Sequence, residues 1–350
     1  MSVPAVGDGH VLRGIVDIRA KGSEYPMPVA GSDAAINVGQ QDIDEARAFN
    51  AKLEALIATR PAVNTVPIEV TRRARRQGNY IFPAPVYLDE AREVEVAGRG
   101  GPVKVRIIQP DRAPVGIYLH MHGGGWTLGA ADEQDLALKE LANETRLCAA
   151  SIEYRLAPEH PYPAGPDDCE DAVLDLLEHG AQLLGAPARF AIGGESAGAH
   201  LAVVTLLRLR DRHEITNRIF AASLAYGGYD LNGTPSQILW GDRNLVLSLP
   251  IAQWFGNNFV PGLTFEQRRD PDVSPLYARL DELPTALFTV GTMDPLLDDT
   301  LFMCERWRAA GTRAELAVYP EGVHGFSLYP IGLARKANAR RFQFLRDFST

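Results

Sequence analysis

Gly194-Glu195-Ser196-Ala197-Gly198 matches the pattern Gly-x-Ser-x-Gly, in which a serine sits on a strained turn between a strand and a helix. A side chain at either outer glycine would collide with neighbouring backbone, and glycine tolerates the dihedrals that so tight a turn needs. The flanks fit this reading. Arg189-Phe190-Ala191-Ile192-Gly193 has the composition of a short buried strand, and Ala199-His200-Leu201-Ala202-Val203-Val204-Thr205-Leu206-Leu207 that of the start of a buried helix. Pattern and context together point to a nucleophilic serine.

Upstream, His122-Gly123-Gly124-Gly125-Trp126 follows an apolar run over 115–121. Loops of this type lend backbone N–H groups to an oxyanion hole. When a serine attacks an ester carbonyl, negative charge builds on the oxygen. Donors already aimed at that oxygen lower the barrier, and loss of one costs roughly 10²–10³ in rate. The expected donors are the N–H groups of Gly124 and Gly125, with that of Ala197 from the serine turn.

Between the two motifs lies Tyr154-Arg155-Leu156-Ala157-Pro158-Glu159-His160-Pro161-Tyr162-Pro163-Ala164. With HGGGW before it and GESAG after it, the chain resembles the hormone-sensitive-lipase-like branch of the α/β-hydrolases, which includes many bacterial carboxylesterases. The resemblance runs from about residue 103 to the C-terminus. It implies a mostly parallel central sheet with helices on both faces and a helical cap. It further implies a serine carboxylesterase acting on short- to medium-chain esters without a cofactor or metal. A homodimer through the sheet edge near 314–319 is also implied. His122 is expected to orient the oxyanion loop and His160 to buttress it. At Glu195 the chain departs from the family, which more often carries Asp or Thr before the serine. Glu195 is expected either to bind a nearby loop or to be a solvated acid at the cleft rim.

A serine hydroxyl needs a base within hydrogen-bond reach, and the base needs a carboxylate to fix its tautomer. In this fold the order along the chain is Ser, Asp or Glu, then His. Of the eight histidines, three follow Ser196. His200 and His213 lie on or just past the helix that starts at the serine turn, before any plausible acid. That leaves His324, on a glycine-flanked loop after the strand-like 314–319. Asp294 is the expected acid, because it follows the buried, β-branched run 285–290 at a strand's carboxyl end, and Pro295 keeps it out of the helical region. Asp298 and Asp299 read as first-turn acids at the positive end of a helix dipole. Trp126 is expected to wall the substrate pocket or to pack under the cap. His120 reads as one position of a strand, and His200 as core.

Composition is that of a globular protein, with 46% hydrophobic and 23% charged residues among 350. A formal net charge of −9 argues against nucleic acid or anionic membrane as partners. The basic run Arg72-Arg73-Ala74-Arg75-Arg76 reads as a solvated helix face or a set of local ion pairs. Cys148, Cys169 and Cys304 are too few and too scattered for a disulfide framework, which fits buried thiols in a reducing cytoplasm. No metal-ligand spacing is present. The N-terminus lacks a secretory pattern, and no window approaches the length of a membrane span.

The chain divides into an N-terminal cap segment (1–85), a first core part (86–228), a cap insertion (229–275) and a second core part (276–350). One amphipathic helix is expected over 42–60, with Ile43, Ala46, Phe49, Leu53, Leu56 and Ile57 on its apolar face. Val94 and Val96 against Val103, Val105 and Ile107 alternate like an edge hairpin. Strands are expected at 115–121, 147–152, 189–192, 220–225, 285–290 and 314–319, and a terminal helix over 335–348 packs through Phe342, Leu345 and Phe348. Over 229–275 the alternation breaks, and Trp240, Trp254, Phe255, Phe259 and Phe265 gather among prolines and glycines. Burying them requires a lid rather than an exposed loop. Rival activities for the same residues are amide hydrolysis and acyl transfer. A non-catalytic ligand-binding member of the fold is a further rival, although such members usually lack a triad residue. A triglyceride lipase is disfavoured for want of an amphipathic surface helix.

Overall fold

The computed structural model describes residues 38–349. The N-terminal half of the 1–85 segment, with the reading of no secretory pattern, therefore lies outside the described residues. Eight strands form one sheet: β1 Arg92–Val96, β2 Val103–Ile108, β3 Gly116–Met121, β4 Leu147–Glu153, β5 Phe190–Glu195, β6 Ile219–Ala225, β7 Thr285–Met293 and β8 Ala314–Val323. Their order is β1-β2-β4-β3-β5-β6-β7-β8. β1 and β2 form the expected hairpin, with Val94 opposite Val105 and Val96 opposite Val103. β2 pairs antiparallel with β4, and every later pairing is parallel.

The central strands are mainly apolar because both their faces are covered. β3 and β5 are buried at every position. On one face Tyr118, Ala149, Ala191, Ala221, Leu287 and Ala317 share a core with Leu138 and Leu141 of α3 (Asp135–Thr145). That core also takes Phe344 and Leu345 of α9 (Gly332–Ser349). On the other face α4 (Ala164–Leu184) approaches so closely that a Cβ on Gly180 would touch Ile117 and Phe190. α5 (Ala197–His213) packs beside it and is buried along most of its length. α8 (Leu297–Ala309) covers β7 and β8.

Among the described residues, two further α-helices precede β1. α1 (Gln40–Ala58) packs on β8 and α9 through Ala46, Leu53 and Ile57. Its expected apolar face is corrected at Leu56, which is 41% exposed, while Asn50 is buried and donates to the Glu321 carbonyl at 2.8 Å. α2 (Ile68–Arg76) carries the basic run, and two of its arginines sit in local pairs: Arg72 with Glu159 and Arg75 with Glu133. Residues 229–275 hold α6 (Pro235–Trp240) and α7 (Leu249–Phe259). Of the aromatic cluster there, Phe259 is buried, but Phe265 is 61% exposed and does not join it. The three cysteines are free and buried. Among the described residues no helix is long and apolar enough to cross a membrane.

What matters for the site is the order around β3. The chain leaves β3 towards β4 on one side and returns to β5 on the other. The carboxyl ends of β3 and β5 are therefore adjacent, at the kind of switch point where open α/β sheets bind ligands. The HGGGW loop follows β3 and the serine turn follows β5.

Candidate active site

Ser196 joins β5 to α5 with φ 56° and ψ −119°. A non-glycine residue held there costs about 1–3 kcal/mol, so the surroundings must impose it. Gly194 and Gly198 show how. A Cβ on Gly194 would stand 2.2 Å from the Met121 carbonyl oxygen, and one on Gly198 would stand 1.9 Å from it. The turn is pressed against the end of β3. The Ser196 N–H donates to the Ala225 carbonyl at 2.9 Å, which anchors the turn to β6 as well.

The ends of β7 and β8 bring the other two residues to it. Asp294 follows β7 and His324 follows β8. His324 Nε2 lies 2.9 Å from Ser196 Oγ, and its Nδ1 lies 2.9 and 3.1 Å from the two Asp294 carboxylate oxygens. A carboxylate only accepts, so Nδ1 carries the hydrogen and Nε2 is left to accept from the serine hydroxyl. Asp294 is buried and takes a further bond from the Leu296 N–H at 2.8 Å. The β7 and β8 ends meet closely, and a Cβ on Gly291 would fall 1.9 Å from the Gly322 carbonyl oxygen. Tyr226 meets the His324 ring edge-on at 5.2 Å and bonds Ser327 Oγ at 2.7 Å. Its φ of 38° is another strained non-glycine value at a strand's carboxyl end. Sequence reading gave no role to Tyr226, and its only signal was that position.

Asp299 is a first-turn acid of α8, as its sequence position implied, but the helix dipole is not its only partner. It is wholly buried and accepts from the Tyr229 and Asp230 N–H groups, Thr234 Oγ1 and Gln237 Nε2. Burial raises its carboxyl to about 6. It pins the first residues of the 229–275 segment to α8.

In the loop after β3, Gly124 and Gly125 have φ of 124° and 60°. Either position would refuse a side chain, since a Cβ on Gly124 would meet the Leu128 carbonyl oxygen at 2.1 Å and one on Gly125 the Phe255 ring at 2.3 Å. Ala197 is the first residue of α5, where N–H groups have no intrahelical acceptor. Among the described residues, no acceptor engages the N–H of Gly124, Gly125 or Ala197. The loop is held from behind. His122 is buried and its Nδ1 donates to the Gly123 carbonyl at 2.9 Å, while Tyr154 stacks on its ring and donates to its carbonyl at 2.7 Å. Burial lowers the His122 imidazole to about 4, so it stays neutral. The expected buttress from His160 is corrected, because His160 is exposed. Arg72 does that work instead, with bonds to the Thr127 and Ala157 carbonyls and to Glu159.

Glu195 is not a solvated acid at the cleft rim; it binds a nearby loop, as expected, through Gln134 in the turn before α3. Its carboxylate is buried, with Oε2 2.9 Å from His120 Nε2 and Oε1 2.9 Å from Arg341 Nη1. It links β5 to β3 and to the terminal helix α9 beneath the serine. His120 in turn meets Ser151 Oγ of β4 at 2.9 Å.

A cavity of about 140 Å³ opens beside Ser196 and His324. Its walls are mainly apolar, among them Phe82, Leu128, Leu247, Phe255, Leu296 and Leu328. They come from the segment before β1, from 229–275 and from the loops after β3, β7 and β8. Trp126 lies on the wall but is only 9% exposed and stacks on Phe259 at 4.6 Å, so it both borders the cavity and packs under α7.

Comparison with known proteins agrees with this fold. A family model described as alpha/beta hydrolase fold matches residues 118–328. Carboxylesterase NlhH of Mycobacterium tuberculosis is 32% identical over 86% of this chain and 94% of its own length. A hyperthermophilic esterase from the archaeon Pyrobaculum calidifontis superposes with a TM-score of 0.76 at 26% identity, covering 86% of this chain and 97% of that one. A hormone-sensitive lipase from a metagenome library gives 0.75 at 25% identity, covering 87% and 98%.

Proposed function

The chain belongs to the alpha/beta hydrolase fold family, in its hormone-sensitive-lipase-like branch, and is a carboxylic ester hydrolase; from that premise we propose that Ser196, His324 and Asp294 carry the reaction through an acyl-enzyme. The observation that carries the proposal is the unbroken line from Asp294 through His324 to Ser196 Oγ. Ser196 Oγ attacks the ester carbonyl carbon while His324 Nε2 takes its proton. The resulting oxyanion is held by the N–H groups of Gly124, Gly125 and Ala197. As the tetrahedral species collapses, the C–O bond to the alcohol breaks and the imidazolium protonates the leaving oxygen. A water then gives a proton to His324 as it attacks the acyl carbon; the bond from that carbon to Ser196 Oγ breaks, the imidazolium returns the proton to Oγ, and the acid leaves. Asp294 keeps its charge throughout and stabilises the imidazolium.

The segment before β1 and residues 229–275 act as the cap, closing the apolar side of the cavity. Drug-sized ligand sites span roughly 300–1,000 Å³. A space of about 140 Å³ favours short to medium acyl chains.

Ser196→Ala is expected to lower kcat for a nitrophenyl ester by about 10⁴-fold or more while circular dichroism stays native. A fluorophosphonate should label Ser196 alone. Near-native turnover by the variant would end the assignment. Faster cleavage of matched anilides than of esters would recast the enzyme as an amidase.

A further inference from the structure

The triad makes no use of His200, although this imidazole lies one turn after the nucleophile and is wholly buried. Its two ring nitrogens are both engaged. Trp126 Nε1 donates to Nδ1 at 3.2 Å, and Nε2 stands 2.9 Å from the Val273 carbonyl oxygen. An indole N–H only donates and a carbonyl only accepts. The pair therefore dictates one tautomer, with hydrogen on Nε2 and a lone pair on Nδ1. Rings complete the joint: the His200 ring meets the Trp126 and Phe259 rings edge-on at 5.1 and 5.8 Å.

Each partner leads somewhere that bears on catalysis. Trp126 directly follows Gly125, holds a left-handed φ of 57° and accepts from the Ala157 N–H at 2.9 Å. Its orientation sets that of the Gly124–Gly125 peptides. Val273 stands at the root of the 229–275 segment, next to Asp272. Asp272 is gripped by Arg208, farther along the same helix α5, at 2.6 Å to each carboxylate oxygen, and by the Tyr162 hydroxyl at 2.7 Å. Arg212 of the same helix adds a bond to Asp272 at 3.3 Å, so the nucleophile helix holds the segment's root by two guanidiniums on Asp272 and an imidazole on Val273. Only the imidazole continues to the oxyanion loop.

We propose that His200 is a positioning residue, which sets the oxyanion loop through Trp126 in register with the nucleophile helix and the root of the 229–275 segment. It touches no reacting atom. The proposal rests on the oxyanion donors assigned above. Burial lowers the imidazole to about 4, which keeps it in the uncharged form that the two bonds require.

His200→Phe keeps the volume and removes both bonds. Trp126→Phe keeps a smaller aromatic ring in place and removes the donor. Misplacement of about 1 Å around a reacting centre is worth up to 10²-fold. Each variant is therefore expected to lose about 10- to 100-fold in kcat with KM held within about threefold. The double variant should be no slower than the slower single one, since both break the same bond. His200→Gln, with an acceptor and a donor at similar spacing, should recover most of kcat. An unchanged kcat in folded Trp126→Phe, or additive losses in the double variant, would overturn the proposal. So would a change confined to KM. Fluorophosphonate labelling separates the two failures. If Ser196 still labels in the native enzyme while these variants behave as native, the triad stands and the role of His200 falls. If Ser196 does not label, the reading beneath it falls instead.

Discussion

Glu195 shows how one side chain beside the nucleophile is made tolerable in the core. Burial alone would raise its carboxyl, but Arg341 and His120 outweigh that and bring it from 4.5 down to about 2. A carboxyl whose pKa falls on folding contributes stability that is fully present above about pH 4.5 and lost as pH falls towards 2. Removing one partner of a buried pair leaves the other uncompensated, at about 3–5 kcal/mol. Arg341→Met should therefore lose about that much in urea unfolding at pH 7. A loss within experimental scatter would show that Glu195 does not depend on Arg341.

Helix α7 is the element that joins the 229–275 segment to the chemistry. Its Phe255 ring lies over Gly125, and its Phe259 stacks on Trp126. A helix of 11 residues with two aromatics against one loop fixes both the ceiling of the cavity and the attitude of the loop. Phe255→Ala should enlarge the cavity over the oxyanion donors. The expected outcome is a rise in the ratio of kcat/KM for long over short acyl esters, of about 10-fold, since a methylene in an apolar pocket is worth roughly 1–3 kcal/mol. An unchanged chain-length profile would place the acyl chain away from α7.

For the whole molecule, buried titratable groups set the response to acid. Burial lowers His122 and His200 from 6.5 to about 4, so each contributes stability above pH 6.5 that is lost as pH falls to 4. Asp299 runs the other way. Raised from 3.8 to about 6, it contributes stability below 3.8 that is lost as pH rises through 6. Each group is worth about 3 kcal/mol, and two imidazoles oppose one carboxyl. The protein should therefore lose roughly 3 kcal/mol between pH 7 and pH 4. Urea midpoints across that range test it, and a flat profile would mean that the buried imidazoles accept protons without unfolding.

Much of this was legible in the primary structure. Ser196, His324 and Asp294 were nameable because each sits at the carboxyl end of an apolar, β-branched run, and because chain order leaves one histidine after the acid. The alternation of strands with helices announced a covered parallel sheet. Asp299 is the first-turn acid that its position announced, but nothing local signalled its burial against the 229–275 segment. The readings of His160 and Leu56 went astray for a related reason, and the buried partners of Glu195 had no local signal. Hydropathy and spacing report what a residue needs from its neighbours along the chain. They do not report which remote group supplies it. The sequence by itself determined the sheet, its motifs and the chemistry they can perform. Tertiary packing alone decided that Trp126 would find His200, that Glu195 would find Arg341, and that Phe255 would close over Gly125. Those pairings are between residues far apart in the chain, chosen by buried polar groups that lose water and must be met by whatever the fold brings within reach.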